Sequence, residues 1–200
     1  MAGSLMTPLG MDMFGLGLVS SEPRGIVLGI ITIAGTYKAP ARSTLIDFCC
    51  IGGGGQTTYS DTLGQTGRWG GLGAISYHSA SIRPGDVVVL SGATAGGSYN
   101  VASGNGTLVA ATAAVATING NVVCQAGAGA DNGVGGALNT CIGNGFKAAG
   151  VSTVPYTYGE SAGPNGQYGP QPIGFTASGN PNNYGKSNGS GLLLLVLYGS

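Results

Sequence analysis

Any catalysis by this sequence would have to draw on seven carboxylates, one histidine and four cysteines. Asp12, Glu22, Asp47, Asp61, Asp86, Asp131 and Glu160 are dispersed along the chain. Glycoside hydrolysis needs two carboxyl groups flanking one bond, and no two of these are marked as partners. His78 alternates with Ser76 and Ala80 as on a strand. A triad would need a nucleophile beside it, and nothing in the sequence marks one, so His78 is read as structural. The string Asn180 to Ser187 imitates a phosphate-binding loop, but its first glycine falls at Gly179, one position early. No helix-forming sequence follows to supply the helix N-terminus such a loop requires. No catalytic residue is assigned, and the chain is expected not to be an enzyme.

The cysteines are Cys49, Cys50, Cys124 and Cys141, without the paired spacing of a zinc site. No metal or cofactor is expected. Cys49 and Cys50 lie in an apolar run and, on a strand, point to opposite faces as small packing residues. Cys124 and Cys141 sit in glycine-rich chain, 17 residues apart. A disulfide between them would contribute about 3 kcal/mol by restricting the unfolded chain; two free buried thiols are the alternative. For binding, the informative residues are Tyr156, Tyr158, Tyr168 and Tyr184, spaced by Gly, Pro and Asn, with Asn165 and Asn182 among them. Tyrosine gives a rigid apolar face and a hydroxyl at low entropic cost, and amides suit sugar hydroxyls or peptide edges. These six are the expected binding surface. Packing of the rings against a neighbouring subunit is the competing use.

The elements that would position these groups follow from composition. Of 200 residues 41 are glycine, yet 42% are hydrophobic and the formal net charge is zero. Disordered chains are poor in apolar residues and rich in net charge, and the glycines keep no period of three as collagen would. The chain is therefore ordered, at a high entropic cost for its glycines, which points to support from a homo-oligomer. The seven basic residues, Arg24, Lys38, Arg42, Arg68, Arg83, Lys147 and Lys186, are scattered, so no nucleic-acid partner is expected. No apolar run reaches the length of a membrane-spanning helix.

Short runs of Val, Ile, Leu, Thr and Tyr between turn signals predict an all-β domain with an antiparallel, sandwich-like core. The expected strands are Ile26 to Tyr37, Ser43 to Ile51, Ala74 to Ile82, Asp86 to Ser91, Asn121 to Gln125 and Leu192 to Tyr198. Residues 107–118 mix helix-favouring alanines with β-branched residues; strand or extended chain is expected. Arg83-Pro84-Gly85-Asp86 fits a type II turn and predicts a hairpin between the third and fourth runs. Residues 127–191 read as an extended loop region, and loops of such length are usually functional or disordered. Residues 1–24 hold all four methionines without the basic start of a secretory signal, and are read as an assembly arm preceding a domain over 25–200.

The order of these features resembles the glycine-rich domain of bacteriophage tail-fibre and tail-tip proteins. The resemblance rests on the lead-in Gly35 to Ala41, the strand Ser43 to Ile51 running into Gly52-Gly53-Gly54-Gly55, and the Pro84-Gly85-Asp86 turn between two strands. It continues through Gly97-Ser98-Tyr99-Asn100 and a Gly/Asn/Ser region to a closing apolar strand, Gly191 to Tyr198. It implies a virion protein made in the host cytoplasm, with other tail proteins, copies of itself (a trimer) and a host surface receptor, a polysaccharide or an outer-membrane protein, as partners. Purely architectural cement or capsid decoration is the alternative, and a surface-polysaccharide-degrading enzyme a third.

Overall fold

The computed structural model describes residues 25–59, 66–68, 70–100, 103–130, 133–150, 152, 155–157 and 193–200. Residues 1–24, and with them the expected arm, lie outside this set. The described chain is all-β, with one 3-10 turn at Leu138–Thr140.

Thirteen strands form three sheets. They are β1 (Ile26–Ile31), β2 (Gly35–Lys38), β3 (Ser43–Ile51), β4 (Thr57–Tyr59), β5 (Thr66–Arg68), β6 (Ile75–Ser81), β7 (Val87–Gly92), β8 (Ser98–Asn100), β9 (Ala114–Ile118), β10 (Asn121–Ala126), β11 (Lys147–Ala148), β12 (Pro155–Thr157) and β13 (Leu193–Gly199). The first sheet runs β1-β13-β3-β6-β11 and the second β10-β9-β7-β2, both antiparallel. The third, β12-β5-β4-β8, contains one parallel pair, β4 with β8.

β3 over residues 46–51 and β13 over residues 195–198 are buried residue after residue, so both faces are covered there, the situation that removes alternation from a strand. One buried cluster combines Ile46, Phe48, Cys50, Leu195 and Leu197 of the first sheet with Val88, Leu90, Ala114, Ala116, Cys124 and Ala126 of the second. On the opposite face of the first sheet, Cys49 and Ile51 pack with Tyr77 and Leu72. Burial of Ile46 and Phe48 contributes about 2–3 kcal/mol each. The small residues on β9 and β10 let the sheets approach, and Cα atoms of β10 come within 8 Å of those of β3 and β6.

Two expectations are corrected here. The run Ile26 to Tyr37 is two strands in different sheets, interrupted at 32–34, where the Tyr37 hydroxyl donates to the Ile33 carbonyl at 2.6 Å. The Pro84-Gly85 turn forms: Asp86 N donates to Arg83 O at 3.1 Å and Gly85 has φ +91°. It joins no hairpin, however. β6 belongs to the first sheet and β7 to the second, so the turn is a corner. Both edges of β7 are taken by β2 and β9, and the corner is fixed by Ala39 N donating to Asp86 O and Gly85 N to Ala39 O. The tight hairpin is elsewhere, between β9 and β10, where Asn119 and Gly120 both have positive φ, as a type I′ turn requires. Of the ambiguous run 107–118, residues 114–118 form strand β9, and 107–113 lead into it without helix or strand.

Candidate functional site: a glycine lattice and the loops it carries

Beyond the ends of β3, β7 and β10 the chain runs into segments that belong to no sheet, glycine-rich in all but one, residues 107–113. These are residues 52–56, 70–74, 93–97, 107–113, 127–130 and 134–136. Their backbone hydrogen bonds define them. Gly52 N donates to Ala74 O at 3.0 Å and Gly55 N to Gly71 O at 2.8 Å; Gly71 N donates to Ala130 O at 2.9 Å and Ala74 N to Gly127 O at 2.8 Å. Segments 52–56 and 70–74 thus each return to the same neighbour after three residues. A strand would return after two, so this is the repeat of a polyproline-II-like helix, which has three residues per turn and no internal hydrogen bonds.

A three-fold helix directs its peptide groups around its whole circumference. The segment 52–56 accordingly bonds four neighbours, where a strand has at most two. Besides 70–74, Gly53 N donates to Thr112 O, and Gly53 O and Gly54 O accept from Gly129 N and Gly96 N. The second segment reaches further, Leu72 O accepting from Gly136 N at 2.8 Å. The lattice thus pairs, between segments, backbone groups that burial would otherwise leave costly.

Only glycine permits the spacing. A Cβ on Gly52, Gly53, Gly55, Gly71, Gly73 or Gly129 would overlap the carbonyl oxygen of Gly127, Thr94, Ala130, Val134, Gly52 or Gly71 respectively. Carbonyls on the Cα hydrogens are the arrangement of Cα–H···O contacts. The residues at 52–56 and 70–74 are buried.

The lattice separates two ends of the molecule. β1 begins at Ile26 opposite Gly199 of β13, so both lie at the far end of the first sheet from Cys50 and Leu193, which adjoin the lattice. On its other side the segments continue into the short third sheet, β4, β5, β8 and β12. Residues 60–65 connect β4 to β5, and residues 158–192 follow β12. Of the six expected binding residues, Tyr156 lies on β12, opposite Gly67 of β5. Tyr158, Asn165, Tyr168, Asn182 and Tyr184 lie outside the described residues.

The expected Cys124–Cys141 bond is not formed; all four cysteines are free thiols. The geometry gives the reason. Ala74 O faces β3, accepting from Gly52 N, and Tyr77 O faces the opposite edge of β6, accepting from Gly145 N. Carbonyls alternate along a strand, so Ser76 O is on the β3 side and Ile75 O on the β11 side. The Cys124 thiol contacts Ser76 O at 3.4 Å and the Cys141 thiol contacts Ile75 O at 3.5 Å. The two sulfurs therefore sit toward opposite edges of β6. Cys124 lies instead with Cys50 in the shared cluster, where interaction between the two thiols, with burial, holds Cys50 as the thiol and draws Cys124 below its ordinary value. Burial pushes Cys49 up to about 12.

His78 faces the clustered core, its ring tilted against Phe48 at 6.3 Å. Its Nδ1 has no hydrogen-bond partner, and burial lowers its pKa. Among the described residues, no group of three or more His, Cys, Asp or Glu is disposed to hold a metal ion, and no helix is long and apolar enough to cross a membrane. What the arrangement offers chemically is a stiff, uncharged backbone frame with connections at one end.

The lattice glycines are the part that sequence reasoning missed. Their signal was present in Gly52–Gly55, Gly70-Gly71, Gly96-Gly97 and the pair Gly127 and Gly129, the first and last of these sets at the end of an apolar or β-branched run. The segments at 127–130 and 134–136, expected within a loop region, belong to the frame. No protein-family model matches the chain, and no curated protein matches its sequence.

Proposed function

We propose that this chain is a structural protein of a bacteriophage virion, a tail-fibre or tail-tip (baseplate) component that contributes to attachment at the host surface. The observation that carries the reading is the separation of ends. Ile26 and Gly199 sit at one end of the molecule, while the chain leading to residues 60–65 and 158–192 leaves the lattice toward the other. An attachment protein needs that polarity: one end joined to the particle, the other free to meet a surface. The frame between them needs rigidity, and backbone hydrogen bonding in three dimensions supplies it without side chains.

In this reading the first two sheets form a β-sandwich around their shared cluster. Copies of the chain assemble as a homo-oligomer, a trimer, in which the exposed side chains of Ile26, Ile30 and Ile33 are covered; exposed apolar groups gathered in one region mark such contacts. The arm at residues 1–24 joins the described chain at Gly25, at the end proposed to meet other tail proteins. The tyrosines and asparagines between 154 and 184 form the receptor-facing surface.

The test is to replace Tyr156 and Tyr168 by Ala. Interface tyrosines commonly contribute more than about 1 kcal/mol each, so adsorption to host cells should fall by roughly 30- to 100-fold with particle yield and oligomeric state unchanged. Lost assembly, or unchanged adsorption, would assign these residues to architecture instead.

A further inference from the structure

Cys50 lies on β3 and Cys124 on β10, strands of different sheets. Both belong to one buried cluster. Cys50 is paired across the first sheet with Ser76, and the Cys124 sulfur rests on the Ser76 carbonyl from the side that faces β3. Facing sheets are ordinarily about 10 Å apart, beyond the Cα separation a disulfide spans. Here the small side chains of Ala114, Ala116 and Ala126 share the cluster with Cys124, and β10 lies nearer to β3 than that, with Cα atoms of the two strands within 8 Å; the bond draws the strands together where Cys50 and Cys124 meet over Ser76.

We propose that Cys50 and Cys124 are a disulfide site that cross-links the two sheets when the protein folds or breathes in the presence of a small-molecule disulfide oxidant. The Cys124 thiolate attacks one sulfur of oxidised glutathione, breaking its S–S bond and releasing one glutathione thiolate. The Cys50 sulfur, giving up its proton, attacks the Cys124 sulfur of the mixed disulfide and expels the second glutathione. Two protein thiols are oxidised, one glutathione disulfide is reduced to two thiols, and the two protons end on them. Cys124 is suited to attack first, because its neighbour Cys50 favours its thiolate, whereas Cys50 is held as the thiol. Cys50 and Cys124 are 1% and 0% exposed, so the reaction runs while the sheets close or open, and the completed bond is shielded from reductants. Cys141, half-buried on the far side of β6, is left as a thiol.

The experiment refolds the full chain from urea in a buffer of reduced and oxidised glutathione, quenches with acid and an alkylating agent, and maps linked peptides by mass. A Cys49→Ala variant assigns the bond between the adjacent cysteines. The expected product links Cys50 to Cys124 with Cys141 alkylated. The bond closes a long loop, so the oxidised protein should melt roughly 10 °C above the reduced one. Cys141→Ser should retain both the link and the shift, and Cys124→Ser should abolish both. A Cys124–Cys141 link, or four alkylated cysteines after refolding with excess oxidised glutathione, would overturn the proposal. The Cys141→Ser arm keeps it testable should Cys124→Ser fail to fold.

Discussion

Adding one methyl group at Gly129 tests the lattice directly. A Cβ there overlaps the Gly71 carbonyl and comes within 3.0 Å of Gly55 N. Neither neighbour is a side chain that can swing aside, so a backbone segment must move. Inserting a methyl into a packed interior costs about 1–3 kcal/mol. The displacement also stretches the bonds from Gly129 N to Gly53 O and from Gly55 N to Gly71 O, each contributing about 1 kcal/mol net. Against this, alanine restricts the unfolded chain and returns about 0.4–1 kcal/mol. Gly129→Ala should therefore destabilise by about 2–4 kcal/mol, lowering the Tm by roughly 5–15 °C in a domain of this size. Gly29→Ala is the control. It lies on β1, and a Cβ there meets nothing within 4 Å, so the change should be neutral or slightly stabilising. Urea melts followed by far-UV circular dichroism would measure both. If Gly129→Ala stays within about 0.5 kcal/mol of the Gly29→Ala control, the close-packed account of the lattice is refuted, because an ordinary loop would accept either change.

Two further predictions concern the core and the arm. His78 is held neutral by burial, so its folded pKa lies below its unfolded value. The stability this gives is present above about pH 6.5 and lost as pH falls through the folded pKa; His78→Gln should flatten the decline of the urea midpoint between pH 7 and 5, and parallel slopes in the two proteins would exclude His78 as the cause. Deleting residues 1–24 should leave a folded protein with unchanged circular dichroism that no longer joins particles, as read by immunoblotting of purified virions; normal incorporation would remove the arm from assembly.

The all-β character was legible because apolar runs and turn signals are local. β3, β10 and β13 fall within a residue of their expected bounds, and Pro84-Gly85 forms its turn. What failed was partner choice. Nothing in Ile82 to Asp86 states whether the chain folds back along the same sheet or crosses to another; that depends on β2 and β9 claiming the edges of β7. Cys124 and Cys141 are near in sequence, but alternation of the β6 carbonyls sends their sulfurs to opposite edges, while Cys50, far away in sequence, lies beside Cys124. The lattice was illegible for a related reason. Each segment is too short to display its period of three alone, and its identity lies in neighbours contributed by other parts of the chain, four of them for 52–56. Of the expected binding residues, only Tyr156 falls on a described element.

The order of strands in the first sheet has a consequence for how the molecule is made. β13 lies between β1 and β3, although twelve strands precede it among the described residues. On the ribosome, β1 and β3 are synthesised early and must wait for their shared partner until residues 193–199 emerge. Through that interval β3 has one open edge, and the shared cluster lacks Leu195 and Leu197. Open edges and uncovered apolar faces are the features that drive nascent chains to aggregate. Closure of the sheet is thus a late event, set by the emergence of residues 193–199. A change that interferes with Leu193–Gly199 would act on yield through this waiting intermediate, whatever its effect on the finished fold.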